Sequence, residues 1–157
     1  MHIIIKNKKL IINNYKVKCA IGKRGIRIKK KEGDLITPKG KFKIKYIFYR
    51  SDRLSNFKSN IKKIIIKKNM GWCDDPSSKY YNRLIKLPSF YSAEKLYRKD
   101  NTYDLILILD YNMSPIHKNK GSAIFIHVAR KNYKNTAGCI ALRKSHLKNI
   151  VAKINKK

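Results

Sequence analysis

A cysteine and a histidine near the C-terminal end of the chain have the types and spacing for covalent chemistry. Cys139 follows Gly138 in a turn-prone segment, and His127 ends an apolar run twelve residues earlier. A thiol with a pKa of about 8.5 is mostly protonated at neutral pH, so a neighbouring imidazole is needed to accept its proton. A loop of this length can bring the two side chains together. We therefore predict that Cys139 is a nucleophile and that His127 is its base.

The backbone beside the cysteine also suits this chemistry. A glycine before the nucleophile lets the chain turn sharply, so amides near 138–140 can point at a developing oxyanion. Residue types alone favour a structural cysteine, because a buried cysteine usually behaves as a small hydrophobic side chain. The pair is therefore a hypothesis whose support must come from the surrounding elements.

Those elements are predicted to be mostly strands. Short apolar or alternating runs are typical of β-structure, and Asn7-Lys8 and Asn13-Asn14 supply turns between the first three. The runs cover residues 3–5, 9–12, 15–21, 42–49, 61–66, 105–109 and 123–128. His127 then lies at the end of a predicted strand, where strand gives way to loop.

Three other segments complete the predicted organisation. Residues 71–78 have the composition of a long loop, and residues 92–98 favour a short helix with Ser92 as N-cap. The tail places apolar residues on one helical face, namely Leu147, Ile150, Val151 and Ile154. With no repeat and no linker, the sequence predicts one mainly β (α+β) domain over residues 1–157 that ends in an amphipathic helix.

Three motifs occur along the chain in an order that matches a known family. They are Gly33-Asp34-x-x-Thr37-Pro38-x-Gly40-x-Phe42, then Ile126-His127, then 136–142, which reads Thr-Ala-Gly-Cys-Ile-Ala-Leu. With this order, the chain resembles the L,D-transpeptidase catalytic domain (YkuD) family. The resemblance implies a β-sandwich or barrel with Cys139 and His127 as catalytic residues. It also implies orientation or oxyanion roles for Thr136, Gly138 and Ile140, with the carbonyl at 136 orienting the histidine.

The motif that carries the cysteine departs from the family pattern. Ala137 replaces a histidine and Ala141 replaces an arginine that supports the site or its substrate. An arginine elsewhere would have to supply that charge. The predicted substrate-binding residues are Trp72, Asn82, Arg83, Arg130 and Arg143, and any of the three arginines could supply that charge. For Trp72 a role as a buried loop anchor remains an equal alternative.

The resemblance also implies a reaction. Cys139 would attack a peptide bond in a peptidoglycan stem peptide, release D-Ala and form a thioester. An acceptor amine on a second stem peptide would then form a cross-link, whereas water would make the protein an L,D-carboxypeptidase or amidase. No metal or organic cofactor is expected, the protein is expected to be a monomer, and the implied location is the cell envelope or periplasm.

Composition adds an alternative from another class. The chain has 39 Lys and Arg against 9 Asp and Glu, a net charge of +30. Such a field attracts polyanions, so a non-catalytic basic module that binds nucleic acid or an anionic polymer remains an alternative. The basic residues are mostly lysines spread along the whole chain, which argues against specific nucleic-acid recognition and also fits the drift of an AT-rich genome.

The remaining sequence features exclude some classes of protein. No apolar run reaches the roughly 18 residues that a membrane span needs, and the three cysteines lack zinc-site spacing. The first nine residues do not form a signal peptide, since the apolar stretch is too short. Retention in the cytoplasm, an unusual export route and a removed leader all remain open.

Overall fold

The computed structural model describes residues 3–55 and 57–154, and these ranges contain thirteen short strands, one α-helix and a 3-10 segment. The strands are β1 Ile3–Lys6, β2 Lys9–Ile12, β3 Tyr15–Lys18, β4 Ile26–Arg27, β5 Thr37–Pro38, β6 Ile44–Tyr49, β7 Lys63–Ile65, β8 Met70–Cys73, β9 Leu84–Lys86, β10 Ala93–Lys95, β11 Leu105–Leu109, β12 Phe125–Val128 and β13 Ile140–Leu142. The 3-10 segment is Lys131–Tyr133, and the helix α1 is Lys144–Ile154. The predicted mainly β (α+β) class is confirmed, although the described residues form several sheets and no closed barrel.

The first three strands form an antiparallel sheet in the order β1-β2-β3. The predicted turns are confirmed: Asn7, Lys8 and Asn13 have positive φ, a conformation that asparagine tolerates better than most residues. The inward side of the sheet buries Leu10 and Ile12 completely. The alternation seen in the sequence therefore corresponds to one face in the core and one face in solvent.

A five-stranded mixed sheet in the order β13-β12-β11-β6-β7 forms the centre of the protein. Strand β11 is buried along its whole length, which explains why its sequence is a continuous apolar run rather than an alternating one. Leu105 and Leu107 enter one hydrophobic cluster, whereas Ile106 and Ile108 enter a second cluster on the opposite face. The central sheet thus separates two cores.

Each core is closed by a different element. The first contains the inward side of the N-terminal sheet and the helix α1, whose Leu147, Ile150 and Val151 are buried, as the helical pattern predicted. The second contains Trp72, from a small antiparallel sheet in the order β10-β8-β9. No helix within the described ranges is long and apolar enough to cross a membrane.

Two local predictions are wrong. The helix expected over residues 92–98 is instead the strand β10, in which Glu94 pairs with Trp72 of β8. The expected loop over 71–78 begins with strand residues, because Trp72 packs its ring against Phe48 and Phe125 at centroid distances of 6.2 and 5.5 Å. In both cases burial of an aromatic side chain by distant strands overrides local propensity.

Candidate active site

The early motif and the cysteine motif are joined by one threonine side chain. Thr37 is buried and its hydroxyl donates to the carbonyl of Gly138 at 2.8 Å. The same oxygen accepts the backbone N–H of Gly22 at 2.8 Å. The segment that carries the Thr-Pro-Lys-Gly turn therefore serves as the support on which the cysteine turn rests.

The turn before Cys139 has a shape that only glycine fits. Gly138 has φ of +149°, and a Cβ there would lie 2.9 Å from the carbonyl oxygen of Ile36. The hydroxyl of Thr136 accepts the N–H of Gly138 at 3.1 Å and donates to the carbonyl of Cys139 at 2.5 Å. Thr136 thus holds the backbone turn, and the Gly138 amide is already occupied.

The parallel pair β12 and β13 places the two candidate residues on one face. Ile126 pairs with Ile140, and His127 pairs with Ala141. Because side chains alternate along a strand, His127 and Ala141 face away from the first core, which receives Ile126 and Ile140. Cys139 lies two residues before Ala141, so it shares the face of His127 but lies about 7 Å nearer the N-terminal end of the strand pair.

His127 is buried and held by a backbone carbonyl. Its Nδ1 lies 2.9 Å from the carbonyl oxygen of Val128, and the ring of Tyr103 meets the imidazole edge-on at 5.4 Å. Donation from Nδ1 to that oxygen leaves Nε2 unprotonated and able to accept a proton. Burial lowers the pKa of His127 to about 4, so the imidazole is neutral at pH 7.

The carbonyl that holds the histidine differs from the one expected. The sequence assigned this role to the carbonyl at Thr136, but that oxygen accepts the N–H of Lys23 at 3.1 Å. The acceptor is instead the carbonyl of Val128, the residue after His127. A contact made by the main chain of the neighbouring residue leaves no signal in side-chain identity.

The thiol of Cys139 is bonded to backbone groups. Its Sγ donates to the carbonyl oxygen of Ala123 at 3.1 Å and accepts the N–H of Phe125 at 3.4 Å. Burial raises the pKa of the Cys139 thiol to about 12. Cys139 therefore carries a protonated thiol and His127 a neutral imidazole, and the two do not form a thiolate–imidazolium pair.

Both side chains line one cavity of about 650 Å³. Four of the nine acidic residues of the chain line it too, which sets it apart from the otherwise basic protein. The charged lining residues are Glu32, Asp74, Asp75 and Glu94, together with Lys29, Arg98, Arg130 and Lys134. A ligand in this cavity therefore meets charged groups of both signs.

A buried ion pair fixes one wall of the cavity. The side chains of Lys29 and Asp34 are each 2% exposed and bonded to each other. Asp34 also accepts the N–H groups of Lys30 and Ile36, at 2.9 and 3.1 Å. Burial tends to raise the pKa of Asp34, but the bonds from Lys29 and the backbone lower it to about 2. The sequence marked Asp34 as part of a motif without indicating that it organises this segment.

The predicted substrate-binding residues divide into two groups. Arg130 is exposed and lines the cavity, whereas Arg83 and Arg143 are exposed and lie outside its lining. Trp72 and Asn82 are buried, and the indole N–H of Trp72 donates to Asn82 Oδ1 at 2.9 Å. For Trp72 this placement favours the alternative of a buried anchor over contact with a substrate.

The remaining site residues occupy two different positions. Gly138 and Thr136 line the cavity, as does Ala141, where the family pattern has an arginine. The side chain of Ile140 belongs to the first core, so only its backbone is able to serve the site. Tyr103, which contacts the histidine ring, and Ala123, which accepts from the thiol, were not identified from sequence.

One of three comparisons with known proteins identifies a family for the chain. Searches of curated proteins and of solved structures find no match to the chain. The profile described as L,D-transpeptidase catalytic domain (YkuD) matches residues 1–157, the whole chain. The chain therefore belongs to the L,D-transpeptidase catalytic domain (YkuD) family of peptidoglycan enzymes.

Proposed function

We propose that this protein is an L,D-transpeptidase that joins peptidoglycan stem peptides through a thioester on Cys139, with His127 as its general base and acid. The observation that carries the proposal is the placement of both side chains on one face of β12 and β13, in one cavity. The carbonyl of Val128 adds to it, because it holds Nδ1 and leaves Nε2 to accept the thiol proton.

In the first half-reaction the sulfur of Cys139 attacks the carbonyl carbon of the donor stem peptide before its terminal D-Ala. The proton of the thiol passes to Nε2 of His127, and the carbonyl oxygen becomes an oxyanion. The Gly138 amide is bonded to Thr136, and Ile140 pairs with Ile126 in the β12–β13 ladder, so the amide of Cys139 is the donor proposed for the oxyanion. The C–N bond then breaks, and His127 returns the proton to the leaving amine of D-Ala.

In the second half-reaction an acceptor amine attacks the thioester carbonyl. His127 takes a proton from the attacking nitrogen, the C–S bond breaks, and the proton returns to the sulfur of Cys139. The new amide bond joins two stem peptides. The same chemistry with water in place of the amine yields the trimmed peptide of a carboxypeptidase.

The resting thiol must move before it reacts. Its sulfur is bonded to the carbonyl of Ala123, and the imidazole lies two residues further along the strands. Rotation of the Cys139 side chain towards the cavity would exchange the Ala123 carbonyl for Nε2 of His127. We propose that a bound donor peptide favours this rotation by filling the cavity and stabilising the developing oxyanion.

We propose that Arg130 supplies the positive charge that is missing because Ala141 stands where the family pattern has an arginine. It lines the cavity and it is exposed, so its guanidinium is able to meet a carboxylate of the incoming peptide. Lys134 also lines the cavity. Since the family is typically associated with the cell envelope, we place the reaction there.

The test is incubation with purified muropeptides followed by mass spectrometry, for the wild type and Cys139→Ala. A cross-linked dimer formed only by the wild type supports transpeptidation, and loss of D-Ala alone assigns a carboxypeptidase. Cys19→Ala is the matched control, because Cys19 is a buried cysteine of the first core, away from the cavity lining. Unchanged muropeptides with a folded wild-type protein would contradict the proposal and favour a non-catalytic basic module.

A further inference from the structure

Asn82 is a buried side chain whose amide uses every hydrogen-bonding position that it has. It is 2% exposed, and its Oδ1 accepts the indole N–H of Trp72 at 2.9 Å and the N–H of Ala123 at 3.1 Å. Its Nδ2 donates to the carbonyls of Tyr111 at 3.0 Å and Asn112 at 2.7 Å. A carboxylate lacks the two donors and an aliphatic side chain lacks all four positions, so this environment requires an amide. No capacity is left over for a substrate.

One of these four bonds leads directly to the candidate nucleophile. Ala123 has φ of +51°, in the left-handed region that residues other than glycine rarely adopt. Its N–H is held by Asn82, and its carbonyl accepts the thiol of Cys139 at 3.1 Å. Ala123, whose carbonyl accepts from the thiol, is therefore held by Asn82 in a backbone conformation that alanine rarely adopts.

We propose that Asn82 is a positioning residue, which fixes Ala123 so that the Ala123 carbonyl holds the thiol of Cys139 at the edge of the cavity. This inference rests on the proposed function in one respect, namely that Cys139 is the nucleophile. Asn82 touches neither substrate nor sulfur and acts only through the backbone of Ala123.

The proposal predicts a change in thiol ionisation with a definite sign. A hydrogen bond donated by the thiol stabilises its protonated form, so losing the Ala123 acceptor lowers the pKa of Cys139. A fall of about one unit gives about ten times more thiolate at a pH below the pKa. A sulfur without a fixed position is also less often aligned with its target, so acyl transfer slows although the thiolate is more abundant.

The experiment measures iodoacetamide alkylation of each cysteine from pH 7 to 10.5, resolved by mass spectrometry, for the wild type, Asn82→Ala and Trp72→Phe. Trp72→Phe is the matched control, because it removes one bond to the same Oδ1 and leaves the bond between Asn82 and Ala123. The buried thiols Cys19 and Cys73 are internal controls, because partial unfolding accelerates all three sites.

We expect alkylation of Cys139 alone to become about tenfold faster at pH 8 in Asn82→Ala, with the profile of Trp72→Phe matching the wild type. Cross-linking by Asn82→Ala should fall about tenfold in kcat, with KM changed less. A folded Asn82→Ala variant with the wild-type profile would overturn the proposal, as would equal acceleration at all three cysteines.

If Asn82→Ala does not fold, Asn82→Ser replaces it, since a serine hydroxyl is too short to reach Ala123. If neither folds while Trp72→Phe does, Asn82 is a requirement of the fold and the proposal fails. Alkylation needs no muropeptide, so an inactive wild type would count against the proposed function and not against this role.

Discussion

The two faces of the strand pair β12–β13 share one backbone but differ in the contacts that hold their side chains. One face presents Ile126 and Leu142 to the first core beneath α1, where each side chain is almost fully buried among apolar neighbours. The opposite face presents His127 and Cys139 to the cavity, and there the polar contacts are made almost entirely by main-chain groups. The contrast indicates that the apolar face fixes where the strands lie, whereas the cavity face uses that rigidity to aim side chains.

The largest expected effect is on the cavity face. Replacing His127 with glutamine removes the proton acceptor, and cross-linking should fall about a thousandfold, within the range attributed to a positioned acid or base. The free energy of unfolding at pH 7 should change by about 1 kcal/mol or less, because a polar side chain of similar size still fills the site. Muropeptide kinetics and urea denaturation measure the two quantities. Activity within tenfold of the wild type would remove His127 from the mechanism.

The matching change on the apolar face should do the reverse. Leu142→Ala empties part of the first core and should lower the free energy of unfolding by about 3 kcal/mol. At temperatures where the variant is folded, alkylation of Cys139 should follow the wild-type pH profile. Altered alkylation of Cys139 in the folded variant would show that the two faces are coupled more tightly than we infer.

Acid should reveal the burial of His127 as a loss of stability. The pKa of His127 is lowered by burial to about 4 in the folded state, against 6.5 for the ordinary group. The unfolded chain therefore binds the proton first, so stability is complete above pH 6.5 and falls by about 3 kcal/mol as the pH drops to 4. Denaturation of the wild type and His127→Gln across this window tests the assignment. The carboxylate of Asp34, whose pKa is about 2, loses its contribution to the free energy of unfolding only at a pH below this window. Parallel curves for the two proteins would contradict a buried neutral imidazole.

The smallest effect is expected at the rim of the cavity. Arg130→Gln should raise KM for the donor peptide about threefold to tenfold, with the free energy of unfolding within about 0.5 kcal/mol of the wild type. Arg143→Gln is the matched control, because Arg143 is also exposed but lies outside the cavity lining. Equal effects of both changes would point to the overall positive field rather than to a contact made by Arg130.

Much of the scaffold was predictable because its signals are local. The continuous apolar run of β11 and the apolar face of α1 are both visible in the sequence, and each pattern predicts which residues are buried. The strand β10 was missed because its residues have no strand signal of their own, and its pairing with Trp72 depends on chain about twenty residues away. Local propensity carries no information about such partners.

The candidate site was predictable only as far as side-chain type identifies a role. Cys139 and His127 stand out because a thiol and an imidazole have few chemical substitutes in this pattern. The carbonyls of Val128 and Ala123 could not be found in this way, because every residue has a carbonyl. Asn82 was placed among substrate contacts, and only its burial and its four hydrogen bonds identify it as structural.

The hydrogen bond from Thr37 to Gly138 has a consequence for the time at which the thiol turn forms. It joins positions 101 residues apart in sequence, and the segment that carries Gly138 is synthesised after the one that carries Thr37. Contacts of such long sequence separation form late because loop closure must come first. During synthesis the earlier segments are therefore available as a template before the cysteine arrives. A chain that ends before residue 138 would lack both the turn and its sulfur, so the nascent protein carries no premature acylating centre.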